Sequence, residues 1–524
     1  MSQSFVLERI VHTPKLSPDA PFPDAVANTD PQRAAFVLAG TGHVVTYGEL
    51  VDSSRAIAAL LWSRGLRHGD CLAILMENTA DYLPVAWAAQ RCGLRYVGLP
   101  TRLEPADVAY ILRDCHARAL VTSATCLERA AAALQEAPGV ELRLTTGPAA
   151  EGFEELAEAV ASAPPSVPEE REGVDLLYSS GTTGRPKGVA SDLPLAPLGT
   201  PPGVATLLHD RWGLDEETVY LSPAPLYHAA PLRFCMTVQR YGGTVVIMDR
   251  FDAEAALELV ERYRVTHTQM VPTMLIRILK LPEQVRQQRD LSSLQVLVHA
   301  AAPCPPETKR ATIEWLGPIV HEYYSSTENY LFTAINSEEW LEHPGSVGRA
   351  LAGRPHILDE DGHELPAGEI GTIWSEGGLS FEYLNDPAKT AEARNELGWT
   401  TVGDLGHLDE DGYLYLADRR ADLVLSGGVN IYPQEAENAL VEHPDVADAA
   451  VFGIPHDELG EVVHAVVQLR PGCAPSPELA AQLIDWCRQR LSTFKCPRDL
   501  DFADQLPRTA TGKLLKRELK DSYR

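Results

Sequence analysis

Long apolar runs are missing from this chain. No stretch reaches the roughly 18 uninterrupted apolar residues that a membrane-spanning helix needs, and Met1 to Arg9 has no apolar run like that of a signal peptide. A soluble, cytoplasmic protein without a membrane span is therefore expected. Positive charge is scarce as well: 45 Lys and Arg stand against 73 Asp and Glu, a formal net charge of −28. That balance opposes non-specific attraction to nucleic acid or anionic lipid, so small molecules are the expected partners. The nine cysteines are scattered from Cys71 to Cys496 without a CxxC pair or a His/Cys cluster, so neither a zinc site nor a disulfide framework is expected and a reducing compartment is the simplest setting. Internal repeats are lacking too. What remains is ordinary globular composition, 45% hydrophobic and 23% charged, in 524 residues, which is too long for one ordinary core and calls for several units or a large body plus a smaller one.

Against that ordinary background one stretch stands out, Tyr178-Ser179-Ser180-Gly181-Thr182-Thr183-Gly184-Arg185-Pro186-Lys187-Gly188-Val189. Glycines let a backbone approach an anion closely, and successive N–H groups with hydroxyls and a cation complete a cradle for a polyphosphate. ATP is the natural candidate. The stretch is not a Walker A loop, because Pro186 stands where glycine is required and Gly188 lacks the hydroxyl that would hold magnesium. A plain surface loop is the competing reading, made less attractive by twelve such biased residues entered and left through apolar ones.

Around this loop the chain alternates in the manner of an α/β protein. Periodicity predicts a helix over Glu49 to Trp62, a strand over Cys71 to Met76, a helix over Tyr82 to Arg91, a strand over Leu94 to Leu99, a helix over Ala106 to Cys115 and a strand over Ala119 to Thr122. Such a βαβ rhythm implies a largely parallel sheet. The Ala-, Pro- and Glu-rich stretch from Gly147 to Gly173 reads as a surface connection. Beyond the loop, Thr244 to Met248 and Val296 to His299 read as strands and Ala253 to Tyr263 as a helix. From about Ile357 short strands punctuated by Asp359 to Gly362 and Asp409 to Gly412 suggest a β-rich subdomain. After Asp418 the tail has its own order: helix Pro433 to Glu442, strands Ala447 to Phe452 and Val462 to Leu469, helix Pro477 to Arg490.

Further stretches gain weight only together. Pro225 to Pro231 sets His228 among apolar residues, where a lone histidine is more often a core residue. His321 to Glu328 combines the rings of Tyr323 and Tyr324, hydroxyls and a carboxylate, which suit adenine, phosphate and magnesium. Trp399 to Asp404 ends in a carboxylate suited to ribose hydroxyls, although an exposed turn reads equally well. Asp418 to Asp422 and Thr509 to Lys513 would in isolation be a charged linker and a loose tail.

In this order the stretches resemble the adenylate-forming superfamily, which groups acyl-CoA synthetases, firefly-type luciferases and adenylation domains of nonribosomal peptide synthetases. The resemblance runs from Thr46-Tyr47-Gly48-Glu49-Leu50 to Lys513, and Ser426 to Pro433 with Phe381 to Ala393 look most like acyl-CoA synthetases. It implies a large α/β N-terminal domain with a β-rich subdomain over 1–418 and a small mobile α+β C-terminal domain over 419–524. It also implies an AMP-forming ligase that uses ATP and Mg2+ to adenylate an acid and passes it to an acceptor, coenzyme A foremost. By similarity Ser179, Ser180, Gly181, Thr182, Thr183, Gly184 and Lys187 would hold phosphates, Thr327 and Glu328 would position phosphate and metal, and Tyr323, Tyr324, Ser325 and the Ala301-Ala302-Pro303 turn would border the nucleotide. Asp404 and Arg419 would hold ribose, His228, His299, Ser325 and Asn329 would border the acid, and Lys513 would bridge the acid and the α-phosphate.

Three positions depart from the pattern: Ala421 stands where relatives usually have Asp or Lys, and Ser325 and Asn329 where they commonly have glycine. The latter two suggest a small or aromatic acid, since their side chains would narrow a pocket that a long acyl chain needs open. Two alternatives remain beside the leading reading, a diazotase-type enzyme that adenylates nitrite or another oxyacid for transfer to an aryl amine, and a nucleotide-binding protein without catalysis. The acid, the pathway and whether the chain forms a homodimer are left open by sequence.

Overall fold

A computed structural model of the chain describes residues 22–164, 169–179, 186–419, 422–426, 429–456, 459–508 and 514–523. Ser180 to Arg185, Ala421 and Lys513 lie outside the described residues, as do the side chains of Ser179 and Arg419. By its internal packing the chain divides into two compact units. The first comprises Met1–Met270, Lys280–Val298 and Ser380–Thr390, and the second Val271–Leu279, His299–Leu379 and Ala391–Arg524.

The first unit carries the predicted alternation. Cys71–Leu75, Arg95–Gly98, Ala117–Thr122, Leu142–Thr145, Glu154–Glu155 and Val174–Asp175 form one six-stranded sheet, parallel at every pairing. Its strands read as apolar runs because helices cover a parallel sheet on its faces: all five residues of Cys71–Leu75 are buried. The helix Tyr47–Ser63 begins where the sequence provides a capping box. Thr46 accepts the Glu49 N–H while the Glu49 carboxylate accepts that of Thr46 at 2.8 Å, so two orphan donors of the first turn are satisfied. The helix Tyr82–Arg91 has the predicted bounds. The stretch from Gly147 to Gly173 differs from expectation. It contains the helix Leu156–Ala161, which buries Leu156 and Ala159, as well as the edge strand Glu154–Glu155. Two apolar residues at helical spacing are too short a pattern to detect within an Ala/Glu-rich connection. A further set of strands in this unit runs His43–Thr46, Ala34–Leu38, Thr244–Ile247, Val219–Ser222, His267–Met270 in spatial order.

The second unit contains an antiparallel run in the order Val320–Ser325, Phe332–Ile335, Ser346–Ala352, Leu414–Arg419, Asp404–Leu408, Gly371–Glu376, Arg354–Leu358. The β-rich region therefore starts at Val320, well before the expected Ile357, because the first of these strands carries mixed polar and aromatic residues. The two Asp-Glu-Asp-Gly sequences are turns of one design. Asp359 accepts the N–H groups of Asp361 and His363, and Asp409 those of Asp411 and Tyr413, with Gly362 and Gly412 at φ 84° and 80°. An aspartate bonding the backbone two residues on, followed by a residue with positive φ, is the local chemistry of such turns. The tail forms a five-stranded sheet built on the antiparallel pair Val446–His456 and Gly460–Leu469. The helices Pro433–Val441 and Pro477–Arg488 cover it around Leu440, Val451, Val467 and Leu483. Among the described residues no helix is long and apolar enough to cross a membrane.

Candidate active site

In the first unit the glycine-rich stretch connects two paired strands. Leu177–Ser179 pairs antiparallel with Lys187–Ser191, Ser179 opposite Lys187 and Tyr178 opposite Gly188. Phe381–Tyr383, far away in sequence, pairs with the other edge of Lys187–Ser191. The ends of the loop are thus fixed to each other by a ladder, and Lys187 is the first residue beyond the loop. Its ammonium lies 5.9 Å from the Tyr383 ring centroid. Gly188 is tightly packed, since a Cβ there would sit 3.0 Å from both the Tyr178 ring and Leu384. Tyr178 donates to Asp114 at 2.6 Å, which anchors the base of the loop to the helix Pro105–Asp114.

His228 caps the start of the helix Ala229–Arg240. Two residues that the sequence did not single out hold its segment in place. Asn78 accepts the Leu226 N–H at 2.8 Å and donates to the carbonyls of Ala224 and Met248. Gly98 lets the Tyr227 backbone approach, since a Cβ there would lie 2.8 Å from the Tyr227 Cα. The Nε2 of His228 is buried and has no hydrogen-bond partner among the described residues. Burial lowers its pKa to about 4, so the ring is neutral at pH 7. A core histidine of the common sort would have its buried ring nitrogens paired; Nε2 of His228 has no partner among the described residues.

In the second unit the strand Val320–Ser325 and the turn after it gather most of the remaining candidates. Alternation along the strand separates two of them. Tyr323 stacks on Phe332 with ring centroids 4.9 Å apart, whereas Tyr324 points to the other face and donates to Asp404 Oδ2 at 2.6 Å. The Tyr324 hydroxyl is buried while the residue as a whole is half-buried, and the hydroxyl is held by Asp404. Burial first, then the neighbouring Tyr330 and Asp404, raises its pKa well above the usual phenol value. Asp404 itself is 6% exposed.

Beyond the strand the chain turns tightly. Asn329 N–H donates to Ser326 O, and Asn329 has φ 52°, a left-handed conformation that glycine or asparagine tolerates best. Asn329 Nδ2 donates to Thr327 O at 3.2 Å and Ser325 Oγ to Leu331 O at 2.9 Å. Both departures from glycine thus have structural use in the turn that presents Thr327 and the buried Glu328. The Ala301-Ala302-Pro303 turn also contains a left-handed residue, Ala301 at φ 76°. His299, placed by sequence near the acid, is 0% exposed. Its Nε2 lies 3.6 Å from Glu322, which pairs with the buried Lys309 at 2.6 Å. Burial and the positive Lys309 hold His299 well below its usual pKa, and burial pushes Glu322 up against the pull of Lys309. In this unit sequence also missed Tyr330, 0% exposed, whose hydroxyl lies 2.8 Å from that of Tyr324. A ring six residues on, across a turn, leaves no periodic signal.

Each unit by itself carries groups that nucleotide chemistry uses: in the first, a glycine- and hydroxyl-rich stretch with a lysine at its end; in the second, an aromatic ring and acidic groups of low exposure. Comparison with known proteins agrees. A model of the AMP-binding enzyme family matches residues 23–382, and a model of the AMP-binding enzyme C-terminal domain matches residues 435–513. A 2-succinylbenzoate–CoA ligase of Bacillus licheniformis is 32% identical over 94% of this chain and 98% of that protein. A medium/long-chain-fatty-acid–CoA ligase of Mycobacterium tuberculosis is also 32% identical, over 91% and 86%. The solved structure of an amide bond synthetase from Marinactinospora thermotolerans superimposes with a TM-score of 0.80 at 28% identity, covering all of both chains. With the mixed α/β architecture described above, these findings make the chain a member of the adenylate-forming superfamily of AMP-binding enzymes, and an AMP-forming acid ligase.

Proposed function

We propose that the enzyme adenylates a small or aromatic carboxylic acid and passes the acyl group to coenzyme A. The single observation that carries the nucleotide half is the bond from the Tyr324 hydroxyl to Asp404, which ties a half-buried aromatic residue to a carboxylate suited to ribose. The acid oxygen attacks the α-phosphorus, the bond to the bridging oxygen breaks and pyrophosphate leaves; a thiolate then attacks the acyl carbon and AMP departs. Bringing two anions together requires neutralisation and in-line placement. In this reading residues 179–184 with Lys187 take the outer phosphates, and Thr327 helps to position a phosphate. Glu328 would supply the hard oxygen that a bound Mg2+ takes, and the ion would contribute neutralisation of phosphate charge. The neutral, half-buried His228 borders the acid without adding charge, and Lys513 bridges the acid and the α-phosphate. The segment 419–524 turns between the two half-reactions, bringing Ser426 to Pro433 toward the acyl group.

The names of the relatives cover an aromatic and a fatty acid, so they do not choose the substrate. The reading of a small or aromatic acid is supported by Ser325 and Asn329, whose side chains fill volume where glycine would leave space. The diazotase-type and inactive alternatives are not favoured beside relatives named as CoA ligases. An amine remains the acceptor to test against, because one solved neighbour is an amide bond synthetase. Pyrophosphate release should be measured over fatty acids, aryl acids and nitrite, with and without coenzyme A or an aryl amine. Turnover of small or aryl acids that requires coenzyme A is expected. Preference for long-chain acids, or turnover only with the amine, would overturn the corresponding half of the proposal.

A further inference from the structure

We infer that Tyr330 is a positioning residue for the nucleotide ribose, acting through a chain of hydroxyls that ends on Asp404. The inference rests on the reading that Asp404 receives the ribose. Three buried polar groups are aligned: Tyr330 Oη lies 2.8 Å from Tyr324 Oη, and Tyr324 Oη lies 2.6 Å from Asp404 Oδ2. The short contact to a carboxylate fixes the direction of donation. A carboxylate accepts only, so Tyr324 spends its single proton on Asp404, and Tyr330 must donate to the Tyr324 oxygen. Chained donation of this kind polarises each bond in turn and strengthens the last one. Its effect on Asp404 is geometric as well as electrostatic. One lone pair of Oδ2 is occupied, which restrains rotation of the carboxylate plane and so fixes the orientation in which Asp404 meets a ligand.

Two glycines pack closely against the Tyr330 carbonyl. A Cβ at Gly378 would sit 2.1 Å from the Tyr330 carbonyl oxygen, and one at Gly353 would sit 3.0 Å from the same atom. Two backbone segments therefore close on this residue from outside the turn. The Leu379 N–H donates to Asn329 O beside it. The side chain is 0% exposed, so Tyr330 acts from behind the site, through the Tyr324 hydroxyl it bonds. An isosteric phenylalanine would pack as well in a purely apolar role. The hydroxyl matters for what it donates to.

The test compares binding of ATP with that of 2′-deoxy-ATP and 3′-deoxy-ATP by calorimetry, together with KM and kcat, in Tyr330→Phe, Tyr324→Phe, their double variant and Asp404→Asn. In Tyr330→Phe the loss of one hydrogen bond is expected to weaken ATP binding about three- to tenfold. Discrimination against the deoxy nucleotides should shrink, and KM for ATP should rise with kcat and KM for the acid unchanged. Tyr324→Phe should reduce the same discrimination, and adding Tyr330→Phe to it should cause no further change, because the relay is already cut. A Tyr330 that only packs would instead lower stability and leave the discrimination intact, and that result overturns the inference. If Tyr330→Phe does not fold, unchanged discrimination in Tyr324→Phe overturns it equally. Asp404→Asn separates the two levels. If it alters discrimination while the tyrosine variants do not, the relay is wrong and the ribose reading stands; if it leaves discrimination unaltered, the ribose reading fails and the relay falls with it.

Discussion

At the scale of single residues, the site turns on groups whose surroundings oppose their solution behaviour. Lys513 is proposed to stabilise charge that shifts from carboxylate to α-phosphate. Removing one such electrostatic group typically costs about 100- to 1,000-fold in rate. Lys513→Ala should show that loss in pyrophosphate release while ATP binding survives, and unchanged release would remove it from the mechanism. Asn329 has a conformation that glycine adopts freely, φ 52°. Asn329→Gly should therefore fold with a stability change within about 1 kcal/mol, read by urea unfolding. Combined with Ser325→Gly it should extend turnover toward bulkier acids, and an unaltered substrate range would mean that neither side chain lines the pocket. The Ser325 and Asn329 hydrogen bonds to backbone carbonyls add that these residues also build their own turn.

The strand Val320–Ser325, its turn and the segment around Gly378 form the element on which the second unit's candidates depend. Here contact is decided by atoms that no pattern of hydrophobicity records. Gly378 has φ 93° and approaches the Tyr330 carbonyl so closely that an added methyl has no room. Gly378→Ala is expected to destabilise the protein by about 2 kcal/mol or more, through both backbone strain and overlap. The cost should appear as a lower midpoint in urea with weakened ATP binding. A variant as stable as the parent would show that the Gly378 segment yields, and that Tyr330 is not clamped by it. The equivalent device in the first unit is Gly98 against Tyr227, which sets where His228 begins its helix.

Across the whole molecule the histidines predict a weakness to acid. His228, His267, His299, His407, His443 and His464 are all held below the usual imidazole pKa, each chiefly by burial. For a base with a depressed folded pKa, the unfolded state binds more protons between the two values, so stability rises with pH through that window. The fold is fully relieved of the penalty above 6.5 and bears all of it below the folded value, which for His228 is about 4. His228 alone accounts for at most about 3 kcal/mol. Urea midpoints should fall from pH 7.5 to pH 5, and His228→Gln should lose less over that range than the parent; equal losses would assign the acid sensitivity elsewhere.

Sequence determined a good deal of this protein, because its signals are local. The capping box at Thr46, the helices Tyr82–Arg91 and Ala253–Tyr263, and the two aspartate turns each follow from residues within one or two turns of chain. The motif order pointed to the superfamily that the family models match. What sequence left undecided depends on atoms brought together from distant positions. Tyr323 and Tyr324 are adjacent and equally aromatic, yet alternation and pairing send one to Phe332 and the other to Asp404. His299 ends an apolar strand, and only packing places it against Glu322 with Lys309. Tyr330, Asn78, Gly98 and Gly378 have no motif at all. Their roles are set by carbonyls, carboxylates and hydroxyls that approach in three dimensions, where a difference of one methyl or one proton decides the arrangement and the linear order of residues does not record it.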